Sequence, residues 1–280
     1  SFFSPLSAVS GSTADLVAIW GTGPSDIWAA GRDSPILHWD GSSWLPSFPQ
    51  RFNLTALWGS AASNVWAVGP RGLFLRFDGT SWSATSIVNG PDFTAVWGSA
   101  ASDVWLIGLG GKIVHATTGG LFSASSGTTK NLNAIWGSSS QNAWIVGDGG
   151  TILHFDGVIW LPSASGTTLD LRGVWGSSAN DVWAVGQQGI VLRNTGAGWR
   201  VISDGPASLG SPIVSLAGVW GSGAQDVWVV GQGAHTVFAF DGSSWQPRDS
   251  IGDALLGIWG AGRAQLWAVG ASGTIVTLKR

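Results

Sequence analysis

Cysteine, methionine and tyrosine are all absent from the 280 residues. Without cysteine there is no disulfide framework and no thiolate site, although the redox compartment stays open. The missing methionine includes position 1, so a processed product or a piece of a longer chain is expected. The opening "SFFSPLSAVS" has no basic n-region and does not read as a signal peptide. Charge is scarce too. Asp, Glu, Lys and Arg make up 10% of the chain, against about 25% in an average globular protein. The net charge is −3 with no basic block, which excludes the clustered cationic footprint of a nucleic-acid binder. No apolar run approaches the ~18 residues of a membrane span. GxSxG, HExxH and Walker sequences are missing, so no catalytic residue, metal ligand or cofactor site is nominated.

What is abundant is glycine, at 43, and tryptophan, at 20. Most of both fall in one segment written seven times: "DIWAAGRDS" at 26, "NVWAVGPRG" at 64, "DVWLIGLGG" at 103, "NAWIVGDGG" at 142, "DVWAVGQQG" at 181, "DVWVVGQGA" at 226 and "QLWAVGASG" at 265. An earlier tryptophan stands eight residues before each second one, at Trp20, Trp58, Trp97, Trp136, Trp175, Trp220 and Trp259. The steps between these are 38, 39, 39, 39, 45 and 39 residues. Repeat units therefore begin near 16, 54, 93, 132, 171, 216 and 255 within a single domain spanning residues 1–280.

One unit splits into four short apolar runs separated by turn signals: "LNAIW", "NAWIVG", "TILHF" and "VIWLPSA". No run shows a helical period. Four antiparallel strands, A to D, in about 39 residues are the pattern of a β-propeller blade. Blades stacked face to face bury both sheet faces, which explains the near-continuous apolar strands. The seventh unit stops after strand C, and "SFFSPLSAV" supplies a lone strand D with Phe2 or Phe3 in the tryptophan position. The expectation is all-β: a seven-bladed propeller of four-stranded antiparallel blades, its ring closed where residues 1–10 complete the last blade.

The tryptophans sort by strand. Those on A and B are expected to be interblade core. Those on D (Trp44, Trp82, Trp160, Trp199, Trp245) are expected at the rim, partly open to a stacking ligand. The acid or amide before each second tryptophan reads as a turn residue bonding to nearby backbone amides. His38, His115 and His154 share one strand C position with Arg76 and Arg193, which fits a cross-strand or interblade hydrogen bond and not a metal site. Asp40, Asp78, Asp156 and Asp241 open "DG" turns.

The "LNAIW … AWIVGDGGTIL … FDG…W" layout resembles the BNR/Asp-box and photosystem-assembly-factor type of propeller repeat, over nearly the whole chain. "WGSSANDVWAVG" also resembles tryptophan-rich repeats of bacterial secreted and surface proteins. The Asp-box is shortened here to "FDGSSW", and no GH dipeptide accompanies "DVW" as in WD40 repeats. Within the BNR resemblance, sialidase activity is not expected, because the tyrosine nucleophile of that class is absent.

Function is then expected where the repeats differ. The D–A link between blades 5 and 6 is lengthened through "SDGPASLGSPIVS", and the B–C turn of blade 6 through "GQGAHT". Both lie on the face carrying the D–A and B–C loops, the face propellers commonly use for ligands. Asp204, Ser208, Ser211, Gln232 and His235 form the candidate ligand-binding patch, with Arg32, Asp33, Arg71, Asp148, Gln187 and Gln188 from other B–C turns extending it. The expected function is non-catalytic: a secreted or surface, lectin-like module binding a neutral glycan, with a protein-interaction scaffold on the same loop face as the alternative.

Overall fold

The computed structural model describes residues 6–7, 11–209, 213–233, 237–249 and 251–278. It is a ring of seven four-stranded antiparallel sheets with the strands of each sheet in chain order. Blade 1 is Leu16–Gly23, Asp26–Gly31, Ser34–Trp39 and Trp44–Phe52. Blade 4 is Leu132–Ser139, Asn142–Gly147, Ile152–Phe155 and Trp160–Pro162. Strand A of each blade adjoins strand A of the next around the ring, including blade 7 back to blade 1. The last blade, Leu255–Gly260, Leu266–Gly270 and Ile275–Leu278, receives Leu6–Ser7 as its fourth strand, with Leu6 opposite Thr277. Phe2 and Phe3 lie outside the described residues. The two ends of the chain thus share one sheet, and the ring has no open A–B–C blade.

Two glycines per repeat explain why the segment tolerates so little change. The first follows the strand A tryptophan. A Cβ on Gly59 would stand 2.5 Å from Cη2 of Trp20, one on Gly221 2.6 Å from Cη2 of Trp175, and one on Gly21 2.9 Å from Cη2 of Trp259. Each strand A indole therefore rests on the bare glycine of the following blade, and the contact repeats around the closed ring. The second glycine ends strand B. Gly147 is extended, with φ −161°, so it is not chosen for conformational freedom. A Cβ there would collide with the carbonyl oxygen of Asn131, as one on Gly186 would with Asp170.

Antiparallel pairing puts residues opposite one another on the same sheet face. Trp136 pairs with Trp144, and Trp144 with His154. Gly137 pairs with Ala143, Ala143 with Phe155, and Phe155 with Trp160. Each blade so presents an indole-rich stripe to its successor and a glycine-to-aromatic stripe to its predecessor. Strand B tryptophans meet strand D tryptophans of the next blade edge to face. The ring centroids are 5.4 Å apart for Trp28–Trp82 and Trp105–Trp160, 5.3 Å for Trp144–Trp199, 5.8 Å for Trp183–Trp245 and 5.7 Å for Trp267–Trp44. Such T-shaped pairs add roughly 0.5–1.5 kcal/mol beyond area burial.

This packing reverses one expectation. The strand D indoles are not open at the rim: Trp44, Trp82, Trp160, Trp199 and Trp245 are all at most 8% exposed. The half-buried tryptophans are Trp39 of strand C and those of strand A, where Trp97 alone is buried at 9%. The reason is geometric. Strand D turns its tryptophan into the junction, where the preceding strand B indole receives it. The innermost strand has no such lid.

The "DG" connections also differ from two-residue hairpins. Trp39 pairs with Trp44, so four residues link the strands. Asp40 Oδ1 accepts from the amides of Ser42 and Ser43 at 2.8 and 2.9 Å, with Gly41 at φ +99°. Asp78, Asp156 and Asp241 repeat the arrangement.

Candidate functional site

The face carrying the D–A and B–C loops is built by a latch that sequence reading missed. The residue before strand A is Asp15, Asn53, Asp92, Asn131 or Asp170 in the first five blades. Its carbonyl accepts from the first B–C residue of its own blade, as in Asp148 N–H to Asn131 O and Gln187 N–H to Asp170 O, both 2.9 Å. Its side chain accepts from the B–C turn of the preceding blade: Asp33 N–H to Asn53 Oδ1 at 3.0 Å, Arg71 N–H to Asp92 Oδ1 at 2.7 Å, and Gly149 N–H to Asp170 Oδ1 at 2.9 Å. Across the ring closure, Ser272 N–H donates to Asp15 Oδ1 at 3.1 Å. The donor residue has positive φ each time, at 47° in Asp33, 55° in Arg71, 64° in Gly149 and 56° in Ser272. The signal was an Asp or Asn five residues before the "WG" tryptophan in the first five repeats, masked by its place at the edge of an apolar strand.

The nominated B–C residues divide accordingly. Arg32, Asp33 and Arg71 turn exposed side chains outward while their backbones hold the latch, and Gln188 is exposed beside it with φ 55°. Asp148 is engaged within the protein, accepting from Asn131 Nδ2 at 2.8 Å and Asn133 Nδ2 at 2.9 Å. Gln187 is engaged too, donating from Nε2 to Asp170 Oδ2 at 2.9 Å. Between blades 5 and 6 the latch becomes a backbone bridge, Gln187 to Ser215, and Ser215 in turn pairs with Gln232. The lengthened link is therefore partly a taller inner hairpin, Ile213–Gly223 with Asp226–Gly233. Its other part, the 3₁₀ turn Pro206–Leu209 that holds Ser208, packs on strand D of the same blade, Trp245–Asp249. Asp204 is exposed beside that outer strand, and Gln232 is exposed at the inner one. No hydrogen bond joins Asp204 to Gln232 among the described residues. Ser211 and His235 lie outside the described residues.

Inside the blades the acid before the second tryptophan bonds to side chains, and not to the turn amides expected of it. Asp26 accepts from Thr22 Oγ1 at 2.5 Å and faces His38 Nε2 at 2.7 Å, while the imidazole stacks on Trp28 at 4.1 Å. Asp103, Ser99 and His115 repeat this on Trp105. In blade 5 Arg193 replaces histidine, 2.6 Å from Asp181 and 4.4 Å over the Trp183 ring. The carboxylate stands between hydroxyl and imidazole, so the histidine cannot serve the hydroxyl as a base and no nucleophile results. Blade 4 is the exception. Asn142 stands for the acid, both Asn142 Oδ1 and His154 Nε2 are buried without a partner, and burial lowers the His154 pKa below 6.5. Among the described residues no cluster of three metal-ligating side chains occurs.

The outer surface breaks the seven-fold pattern most over blades 3 and 4. Of nine exposed large apolar side chains among the described residues, seven fall between Val88 and Leu161. They include Phe122 at 53%, Ile159 at 54% and Val158 at 81% exposed. Two neighbouring grooves open in this sector. One, of about 900 Å³, lies over blade 4 between the links to blades 4 and 5, against Ile152, Leu153 and Trp160. The other, of about 1010 Å³, lies over blade 3 against Ile87, Pro91, Val114, Leu121 and Phe122. The hint in the sequence was "HATTGGLFS", the one C–D stretch of a complete unit with neither acid nor tryptophan.

No protein-family model and no curated protein matches the sequence. Solved structures match it along its length. A structure described as Ycf48 bound to D1 peptide superposes with a TM-score of 0.76 at 17% identity, covering 100% of this chain and 98% of that one. Ycf48 from Cyanidioschyzon merolae gives the same score and identity over 99% of each chain. The WD40 propeller domain of Doa1 gives 0.78 at 10% identity, over 98% of this chain and 97% of that one. At these identities the likeness is one of fold. It carries the seven-bladed propeller and does not single out the BNR/Asp-box repeat.

Proposed function

We propose that this chain is a non-catalytic propeller that binds a protein or peptide segment across the rim and loop ends of blades 2 to 4. The observation that carries this reading is the crowding of exposed apolar side chains and both grooves into that one sector. Exposed apolar area gathered in one place marks an interaction surface more than scattered residues do. A fold neighbour whose structure contains a bound peptide supports the same class of ligand. The glycan reading loses its main support, because the strand D indoles meant to stack on sugar are buried between blades.

A displayed library of random peptides and a glycan array test the reading together. Selection of peptides whose binding is lost in a folded Phe122→Asp, Ile159→Asp double variant is the expected result. Glycan binding without any selected peptide, or peptides indifferent to the double variant, overturns it.

A further inference from the structure

The outer strand of each blade pairs on one side only, so its other edge can template a further strand. The register decides which groups that edge offers. Ser163 N–H donates to Ile152 O and Ile202 N–H to Val191 O, both at 2.9 Å. In blade 3 Ala124 holds the same place, opposite Ile113. Bonds along an antiparallel pair fall on alternate residues. Gly120, Phe122 and Ala124 therefore bond inward to strand C. Leu121 and Ser123 turn their N–H and C=O groups outward.

Other blades block this outward donor. Pro46, Pro162 and Pro247 stand in the place of Ser123, opposite Leu37, Leu153 and Phe238 as Ser123 is opposite Val114. Proline has no N–H to give, and within a sheet it is confined to such edges. In blade 5 the place belongs to Val201, beside the exposed Arg200, on a strand of three residues. In blade 2 it belongs to Ala84, among the exposed Ser83, Thr85 and Ser86. Blade 3 has no such guard. Its outer strand, Gly120–Ala124, is five residues long, has neither proline nor charge, and exposes Leu121 and Phe122. The strand lies inside the groove over blade 3, with Ile87 and Pro91 on one wall and Ser126 and Thr128 on the other.

We infer that the outer edge of blade 3 receives an extended segment of a partner protein as a fifth strand. The segment's backbone pairs with the outward groups of Leu121 and Ser123. Its side chains alternate, one set joining Leu121 and Ile87 in the groove and the other covering Phe122. An uncharged segment with β-branched residues at alternate positions fits this edge. Because the edge is recessed between two links, it suits an isolated strand. The edge of a second propeller would bring its own links against those walls. The inference rests on the protein-binding reading and gives the mode of binding.

The test titrates the blocked peptide Thr-Val-Thr-Val-Thr-Val into the whole chain at millimolar concentrations and follows amide hydrogen exchange. Near saturation, exchange at Leu121 and Ser123 is expected to slow at least about ten-fold, the weight of one hydrogen bond. The same peptide with every amide N-methylated is expected not to bind. Ser123→Pro copies the guard of blades 1, 4 and 6 and keeps Leu121 and Phe122. It is expected to retain the thermal midpoint and lose the response; the methylated peptide tests the same point on the parent chain should the variant unfold. Slowing at other residues only, no binding of the Thr-Val peptide, equal binding of its methylated form, or an unchanged response in Ser123→Pro each overturn the inference. A free chain that sediments as a dimer with both amides already protected, and is monomeric in Ser123→Pro, assigns the edge to a second copy and overturns it too. If library peptides lost in the Phe122→Asp, Ile159→Asp variant bind Ser123→Pro as well as the parent, strand addition is wrong while the broader reading stands. If neither library nor Thr-Val peptides bind, both fall.

Discussion

Trp136 and Gly176 belong to successive blades, and the indole of one occupies the side-chain space of the other. A Cβ on Gly176 would sit 2.5 Å from Cη2 and 2.7 Å from Cζ3 of Trp136. The same contact joins Trp97 to Gly137 and Trp220 to Gly260. Gly176→Ala is therefore overpacked against a rigid ring, and the usual cost of such crowding is about 1–3 kcal/mol. Urea unfolding is expected to show the loss. An unchanged midpoint would mean that the half-buried indole swings clear and that the contact does not hold the blades together.

The turn aspartates make stability depend on acid. Hydrogen bonds from the Ser42 hydroxyl and then the Ser43 amide hold Asp40 at about 2, below its ordinary 3.8. Asp78 and Asp241 are also held at about 2, led by the amides of Ser81 and Ser244. Asp156 is lowered by the Ile159 amide and then Val158. A depressed carboxylate stabilises the fold fully above its unfolded value and loses that contribution as pH falls through the folded one. The window is therefore from near 3.8 down to about 2. Combined Asp40→Asn, Asp78→Asn and Asp241→Asn substitutions should flatten the fall of the unfolding midpoint within that window and leave its shape at neutral pH alone.

The architecture was legible because each level of the sequence repeats the same instruction. The 39-residue period, the paired tryptophans and the truncated seventh unit lead to seven blades and the terminal clasp. The direction of the side chains was not legible. Trp160 and Trp136 look alike in a strand, but only the register shows that Trp160 shares the face of Phe155 and Gly137 toward the preceding blade, while Trp136 lies on the opposite face against Gly176 of the following one. The latch residues, such as Asn53 and Asp92, were hidden for a related reason. Their partners are backbone amides some 20 residues away in another blade, and no local motif marks such a bond. Loop length singles out blades 5 and 6, whereas the loss of acid and tryptophan from "HATTGGLFS" in blade 3 changes no length at all.

Asp170 tests the latch. Its Oδ1 accepts from Gly149 N–H of the preceding blade, and its Oδ2 from Gln187 Nε2 at 2.9 Å and from Arg172 at 3.3 Å. Asp170→Ala takes the acceptor from the exposed Gly149 amide and the half-buried Gln187 amide group, at a net cost of about 0.5–1.5 kcal/mol because water can replace it. Hydrogen exchange should speed up at Gly149 while the strand B amides of blade 4 stay protected. Uniform loss of protection would instead mean that the latch is part of the cooperative core.

Blade 4 carries a defect that a single atom exchange should repair. His154 stacks on Trp144 at 4.1 Å as His38 and His115 stack in their blades. Where they face a carboxylate, it faces Asn142, and the Asn142 oxygen and His154 Nε2 are both buried without partners. Burial then favours the neutral imidazole and lowers its pKa from 6.5, the charge of Asp156 opposing this only in part. In the parent chain the folded value is the lower one, so protonation costs stability as pH falls below the ordinary imidazole range. Asn142→Asp supplies the carboxylate found in blades 1 and 3, with Ser138 at the position of Thr22 and Ser99 to donate the second bond. The His154 pKa should then rise above 6.5, reversing the sign: the gain is full below the unfolded value and fades as pH rises through the new folded one. About 1 kcal/mol is expected near pH 6, since the site is only partly shielded from water. Proton NMR of the imidazole Cε1–H against pH reads the shift directly. A pKa that stays below 6.5 in the variant would mean that the carboxylate turns away from the ring, and that the pairing in blades 1 and 3 needs more than these three side chains.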